Sequence, residues 1–161
     1  MTDDTTTPSD DIEFVRLAGQ TPSELLLTLS LVYQHVDNSV PLSLSLPGGV
    51  LFGRAVHRSV WLRAMAEQAR SVPTAPESTG PETVGELFDK LAERRAEVVF
   101  DDEKHTLDDI VTIYLVDAWL VGPQIGNQAF QTRSSCWQVP VAKVDAWTFG
   151  IPHDIKPATD D

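Results

Sequence analysis

Apolar residues recur at Leu25, Leu26, Leu29, Val32 and Tyr33, which share one face of a helix. The same run also alternates through Leu25, Leu27, Leu29 and Leu31, as a strand does. Ahead of it, Thr21-Pro22-Ser23-Glu24 supplies a cap, a proline at the first helical position and a glutamate at the third, a capping box that favours the helix. Val40, Leu42, Leu44 and Leu46 then alternate with Pro41, Ser43 and Ser45, the pattern of a half-buried strand. Pro47-Gly48-Gly49 reads as a turn, and residues 50–56 return as the partner strand of a hairpin. Gly53 inside that strand marks a bulge or a close backbone approach.

From Ser59 the period changes to that of a helix, with Trp61, Leu62, Met65, Ala66 and Ala69 on one face and Arg58, Arg63 and Arg70 on the rest. A proline-rich loop, 72–81, follows. A second capping box, Thr83 to Glu86, opens another helix with Val84, Leu87, Phe88 and Leu91 facing inward and its acids facing away. Residues 101–109 form an acidic turn, and 110–121, rich in β-branched and aromatic residues, read as a central strand. Residues 121–135, with Gly122-Pro123 and Gly126-Asn127, keep no period and read as a loop. Trp137, Val139 and Val141 alternate, and Trp147, Phe149 and Ile151 do so again after a turn near 143–146. The order predicts an α+β fold: a small twisted antiparallel sheet with three helices, two of them inserted after the first hairpin. Residues 12–151 make one domain, between a disordered acidic tail, 1–11, and a disordered tail, 152–161.

A length of 161 residues agrees with a single domain, and one cysteine cannot form an internal disulfide. The 24 acidic side chains against 12 basic ones give a net charge of −12, which repels phosphate backbones and anionic lipid. Residues 1–11 carry neither the basic nor the apolar segment of a secretory signal. The apolar-rich run 25–32 falls short of the roughly 20 residues that span a bilayer. With a lone thiol, these features predict a cytoplasmic protein.

Candidate chemistry is sparse. His35, His57, His105 and His153 share no metal-ligand spacing. Asp101, Asp102, Glu103, His105, Asp108 and Asp109 gather hard-cation ligands on one turn, without the spacing or central glycine of a calcium loop; the plainer reading is a solvated acidic loop. Cys136 reads as a small buried hydrophobe. No serine sits in a nucleophile elbow, and Gly48-Gly49 lacks the lysine of a phosphate loop. Arg54, Arg58, Arg63 and Arg70 are a third of all the basic residues, opposed within their window only by Glu67. They either pair with the acidic helix that follows or form a basic face for another copy or partner. The four tryptophans fall mostly on inward faces, and each brings an N–H that seeks an acceptor.

The strand Ile113-Tyr114-Leu115-Val116-Asp117-Ala118 and the run from Cys136 to Gly150 resemble the gas-vesicle accessory protein family of the U type (GvpU). That family shows a strand ending in Leu-x-Asp-Ala, a Gly/Pro/Asn loop, then Trp-Arg-Gly-x-Leu-x-x-Val-Asp-Gly-Phe-x-Leu-Gly. Trp137, Val144-Asp145, Trp147 and Gly150 fill its recognisable places, while Gln138-Val139 stands where Arg-Gly is usual and Ala146 replaces a glycine. The hairpin Leu42-x-Leu44-x-Leu46-Pro-Gly-Gly-Val-Leu-Phe-Gly resembles the family's hairpin, so the similarity spans about residues 21–151.

The resemblance implies a non-enzymatic cytoplasmic accessory protein, without cofactor or metal, that self-associates and engages gas-vesicle shell or other accessory proteins. Many weak contacts to a regular shell sum to avidity. Arg54, Arg58, Arg63, Arg70, Trp137, Asp145 and Trp147 are the expected interaction residues. By analogy of fold alone, the hairpin and final strand pair also suit an open SH3/Sm-like barrel. The competing reading is a small-molecule or divalent-cation-binding domain, enzymatic or not, built on the 101–109 turn and the 121–135 loop with Asp117. An Sm-like RNA binder is opposed by the net charge.

Overall fold

The computed structural model describes residues 22–72, 80–101, 103–125, 128–133 and 135–150. Both expected tails, the Thr21 cap, most of the proline-rich loop, Asp102, His153 and Ile151 lie outside them. Helix α1 (Pro22–Gln34) precedes the hairpin β1 (Ser39–Leu46) and β2 (Gly49–Val56). Helices α2 (Arg58–Arg70) and α3 (Gly80–Ala96) follow, then a 3-10 turn at Leu107–Asp109 and strand β3 (Thr112–Ile125). Strands β4 (Gln128–Arg133) and β5 (Cys136–Pro140), a second 3-10 turn at Val141–Lys143 and β6 (Ala146–Phe149) complete the order.

The strands form one antiparallel sheet in the order β4-β3-β2-β1-β6, with β5 also on β3. The fold is α+β and the sheet is open, since no pairing among the described residues joins β6 to β4 or β5. The β1–β2 turn is short: Leu46 faces Gly49. Gly49 has φ +139°, and a Cβ there would lie 2.2 Å from the Val121 carbonyl oxygen, so both the backbone and the space demand glycine.

Strand β3 holds the sheet together. Its edge away from β2 takes β5 along Thr112–Val116 and β4 along Trp119–Ile125. On the β2 side, Phe52 faces Trp119 and Arg54 faces Val116, so Gly53 alone opposes both Asp117 and Ala118. This is a β-bulge at the glycine the sequence singled out. A Cβ on Gly53 would come within 2.8 Å of the Ala118 Cβ. Asp117 has φ 49°, the one positive φ of a non-glycine among the described residues.

Among the described residues, the expected loop at 121–135 is instead the far end of β3 and strand β4, while Gly126, Asn127 and Ser134 lie outside those residues. Gly122 and Pro123 fall where the β3–β4 register shifts, between the pairs Val121–Gln131 and Gln124–Ala129. Beyond Val121 the strand has lost β2 as a neighbour, so proline there removes no bond from the ladder on that side.

The two faces of the sheet are covered by different helices. On one, α1 buries Leu25 and Leu29 against Leu42, Leu44, Ile113 and Trp147. The helical reading of α1 holds: Leu25, Leu29 and Val32 are buried while Leu27 and Leu31 are exposed. Buried apolar area drives this packing at about 25 cal/mol per Å². Tyr33 at the end of α1 ties the helix to β3, its hydroxyl donating to the Thr112 carbonyl at 2.9 Å and accepting from the Tyr114 amide. On the other face, Val60, Trp61, Ala64 and Met65 of α2 pack on Val56, Val116 and Cys136.

Helix α3 starts three residues before the expected cap, so Thr83 and Glu86 lie within it. Pro81 is its second residue, where a missing N–H leaves no bond unmade. Its expected inward stripe is corrected as well. Gly85 and Ala92 are the buried positions, while Val84 and Leu87 are exposed. Helix α3 packs on α2, and a Cβ on Gly85 would lie 2.8 Å from Arg70 Nε. The small residues permit the close approach, while Phe88 and Leu91 of the expected stripe are half-buried and Val84 and Leu87 are left outside.

Candidate functional site

The four arginines of the expected basic face do different things. Arg54 lies in β2, not on the helix, and its Nη2 donates to Asp117 Oδ2 at 2.7 Å. Arg70 joins Glu82 at 3.2 Å and Asp89 at 2.6 Å, both on α3. Those bonds, to Asp89 above all, hold the guanidinium above its usual range. The intramolecular account thus describes Arg70. Arg58 and Arg63 have no carboxylate partner among the described residues. Arg58 sits over the Tyr114 ring, 5.7 Å from its centroid, in cation–π geometry.

The C-terminal candidates are mostly structural. Trp147 is buried in the core, opposite Leu44, and meets Phe149 edge-on at 5.0 Å. Trp137 is half-buried against the same core. The indole N–H groups of Trp61, Trp119, Trp137 and Trp147 are buried with no acceptor among the described residues. Asp145 is exposed, and its backbone amide donates to the Ser45 carbonyl, leading the chain into β6. The structure does not bring these residues together with the arginines on one surface.

The acidic turn is knit internally. Asp101 accepts from Lys104 Nζ at 2.8 Å and from the Glu103 amide at 3.0 Å, which hold its carboxyl below the usual 3.8. Asp109 accepts the Thr106 amide and hydroxyl through Oδ2, and these hold it low in the same way. Among the described residues, no three of His, Cys, Asp or Glu converge as a metal site. The thiol of Cys136 is pushed up by burial, contrary to what a nucleophile needs. His57 is a structural group: its Nδ1 accepts from the Ser59 amide at 3.2 Å and caps α2, while Nε2 lies 2.9 Å from the Val98 carbonyl. That pairing assigns the proton to Nε2.

Two features escaped the sequence. The first is a concave surface along α1. Leu31 is a 61% exposed ridge between two grooves, one reaching Leu27, Phe100 and Leu107, the other Val40 and Phe149. Among the described residues, none that lines either groove is Asp, Glu, Lys or Arg. The alternation of leucines in residues 25–31 was the signal: the half of the pattern that the helix does not bury faces outward. The second is a pocket of about 270 Å³ under the segment 98–100, bounded by Tyr33, His57, Arg58, His105, Asp109 and Tyr114. Part of the acidic turn therefore borders a cavity, whereas Asp117 is not among its walls.

No family model, curated protein or solved structure matches the chain. Among the described residues no helix is long and apolar enough to cross a membrane.

Proposed function

We propose that this protein is a non-enzymatic assembly factor that self-associates through the outer face of α1. The observation that carries this reading is the uncharged ridge of Leu27 and Leu31, continued by Phe149, each more than half exposed. On a chain of net charge −12, two copies repel unless they meet where charge is lowest, and interface centres are depleted of charge. The ridge-between-grooves shape is self-complementary: under a two-fold axis, Leu31 of one copy enters a groove beside Leu31 of the other. A second copy is therefore the occupant. The onward partner, by the GvpU-like pattern of residues 113–150, is a gas-vesicle shell protein in the cytoplasm, bound by many weak contacts. The interface in this reading lies on α1, away from the arginines of α2.

Light scattering of the full chain over a range of concentrations tests it. The expected result is a dimeric or larger mass that Leu27→Ser with Leu31→Asp reduces to the monomer. A wild-type mass that stays monomeric throughout, or a double variant that keeps the wild-type mass, overturns the reading. Co-sedimentation with purified gas vesicles tests the onward partner separately.

A further inference from the structure

We infer that the pocket between α2, β3 and the segment 98–100 binds a small organic monocarboxylate with an apolar body. The pocket, at about 270 Å³, falls just below the range of drug-sized ligand clefts, about 300–1,000 Å³, which limits it to a small ligand. Its apolar wall is Val98, Val99, Phe100, Ile110 and Val111. Two of these are more than half exposed, Val98 at 51% and Val111 at 67%, which gives an apolar ligand surface to cover.

Against that wall stands Arg58, the one Lys or Arg side chain among the described lining residues. Arg58 is held over Tyr114 and has no carboxylate partner among the described residues. The amides at the start of α2 do not compete for an anion. Ser59 N–H is bound to His57 Nδ1, and the Val60 and Trp61 amides to the His57 carbonyl. Tyr114, whose ring carries the guanidinium, lines the same pocket. A planar carboxylate matches the guanidinium fork with paired charge-assisted bonds.

A second lining residue selects the charge of the ligand. Asp109, fixed through Oδ2 to Thr106, keeps a negative charge in the pocket wall and repels a second anionic group. A monocarboxylate satisfies Arg58 while its apolar end covers the valines; a dianion such as phosphate meets Asp109 and has nothing to bury. The pocket adjoins the α1 groove, with which it shares Phe100 and His105, but neither Leu27 nor Leu31 lines it, so the Leu27 and Leu31 variants test the other reading alone.

Calorimetry of the full chain tests this with three probes: 3-phenylpropionate, its neutral isostere 3-phenylpropanol, and inorganic phosphate. Trp61, 5.5 Å from Tyr114, gives a second readout through its indole NMR resonance. Saturable binding of 3-phenylpropionate is expected, at least about tenfold tighter than that of the alcohol and of phosphate, since a charged hydrogen bond is at stake. Arg58→Gln should lose at least about tenfold in affinity for the acid while melting as the wild type does, because Arg58 is exposed. Val111→Trp, which enlarges a wall residue and leaves the cation in place, should abolish binding as well. No saturation by 3-phenylpropionate, equal affinity for the alcohol or phosphate, or undiminished binding in either variant overturns the assignment.

Discussion

Arg54 Nη2 donates to Asp117 Oδ2 at 2.7 Å across a bulge in which the acid, not the arginine, holds the left-handed backbone, at φ 49°. The pair is solvent-exposed on both sides, 49% and 69%, so its contribution is about 0.2–1 kcal/mol. Backbone conformation matters more, at about 1–2 kcal/mol for an L-residue, and aspartate tolerates it better than most. Asp117→Val should therefore destabilise by about 1–2 kcal/mol beyond the lost pair. Arg54→Ala and Asp117→Gly should each stay within about 1 kcal/mol of the wild type. Urea midpoints with unchanged slopes check the order.

Gly53 and Ala118 should behave as a coupled pair. Gly53→Ala puts a methyl group within 2.8 Å of the Ala118 Cβ and should cost about 1–3 kcal/mol through overpacking. Ala118→Gly in the same chain makes room, so the double variant should be more stable than the sum of the single changes predicts. Strict additivity in a denaturation cycle would count against close packing at the bulge.

His57→Ala removes the cap of α2 and leaves the Val98 carbonyl without its donor. The two losses together should cost about 2–4 kcal/mol. His57→Asn keeps a capping oxygen but does not reach Val98, so it should recover only the capping share. Thermal melts of the three proteins separate the two effects, and equal losses in both variants would show that the cap contributes nothing.

The acid limb of stability should involve Asp101 and Asp109. Both carboxyls are held below 3.8 in the folded protein, Asp101 first by Lys104 and Asp109 first by the Thr106 amide. A group depressed on folding adds stability above its unfolded value that is lost as pH falls through the folded one. The melting temperature should thus drop below about pH 4, more shallowly in Asp109→Ala. The effect should be small because both groups are exposed, and an Asp109→Ala profile parallel to the wild type below pH 4 would refute its part in it.

Cys136 should react slowly with an aromatic disulfide reagent at pH 8 in the folded protein and at once in denaturant. Burial keeps its thiol protonated, and only 9% of the residue is accessible. Fast modification of the folded protein would contradict this.

Legibility followed whether a signal was local. The α1 pattern, the leucine alternation of β1 and the lone Gly53 are properties of a few neighbouring residues, and each is found as read. Residues 121–135 read as a loop because glycine and proline usually end a strand. In this fold Gly122 and Pro123 occupy an irregularity in a ribbon that has already lost its other neighbour. The stripe on α3 failed at Val84 and Leu87 for another reason. Its partner is a single helix approached through Gly85 and Ala92, and residue size on one chain segment does not reveal how closely another will lie. The split among the arginines was equally hidden, since Asp117 and Asp89 meet them through the tertiary fold.

The pairing of the first strand with the last, Ser45 against Ala146 and Leu42 against Phe149, has a kinetic meaning. During synthesis the β1–β2 hairpin and both inserted helices emerge long before the segment that protects the outer edge of β1. Until β6 arrives, that edge offers bare hydrogen-bonding groups beside Leu42 and Leu44, which end fully buried. Closing so long a loop is slow relative to local contacts. The window between hairpin formation and β6 docking is when nascent chains are most open to mispairing with one another, and truncation before Ala146 would make that window permanent.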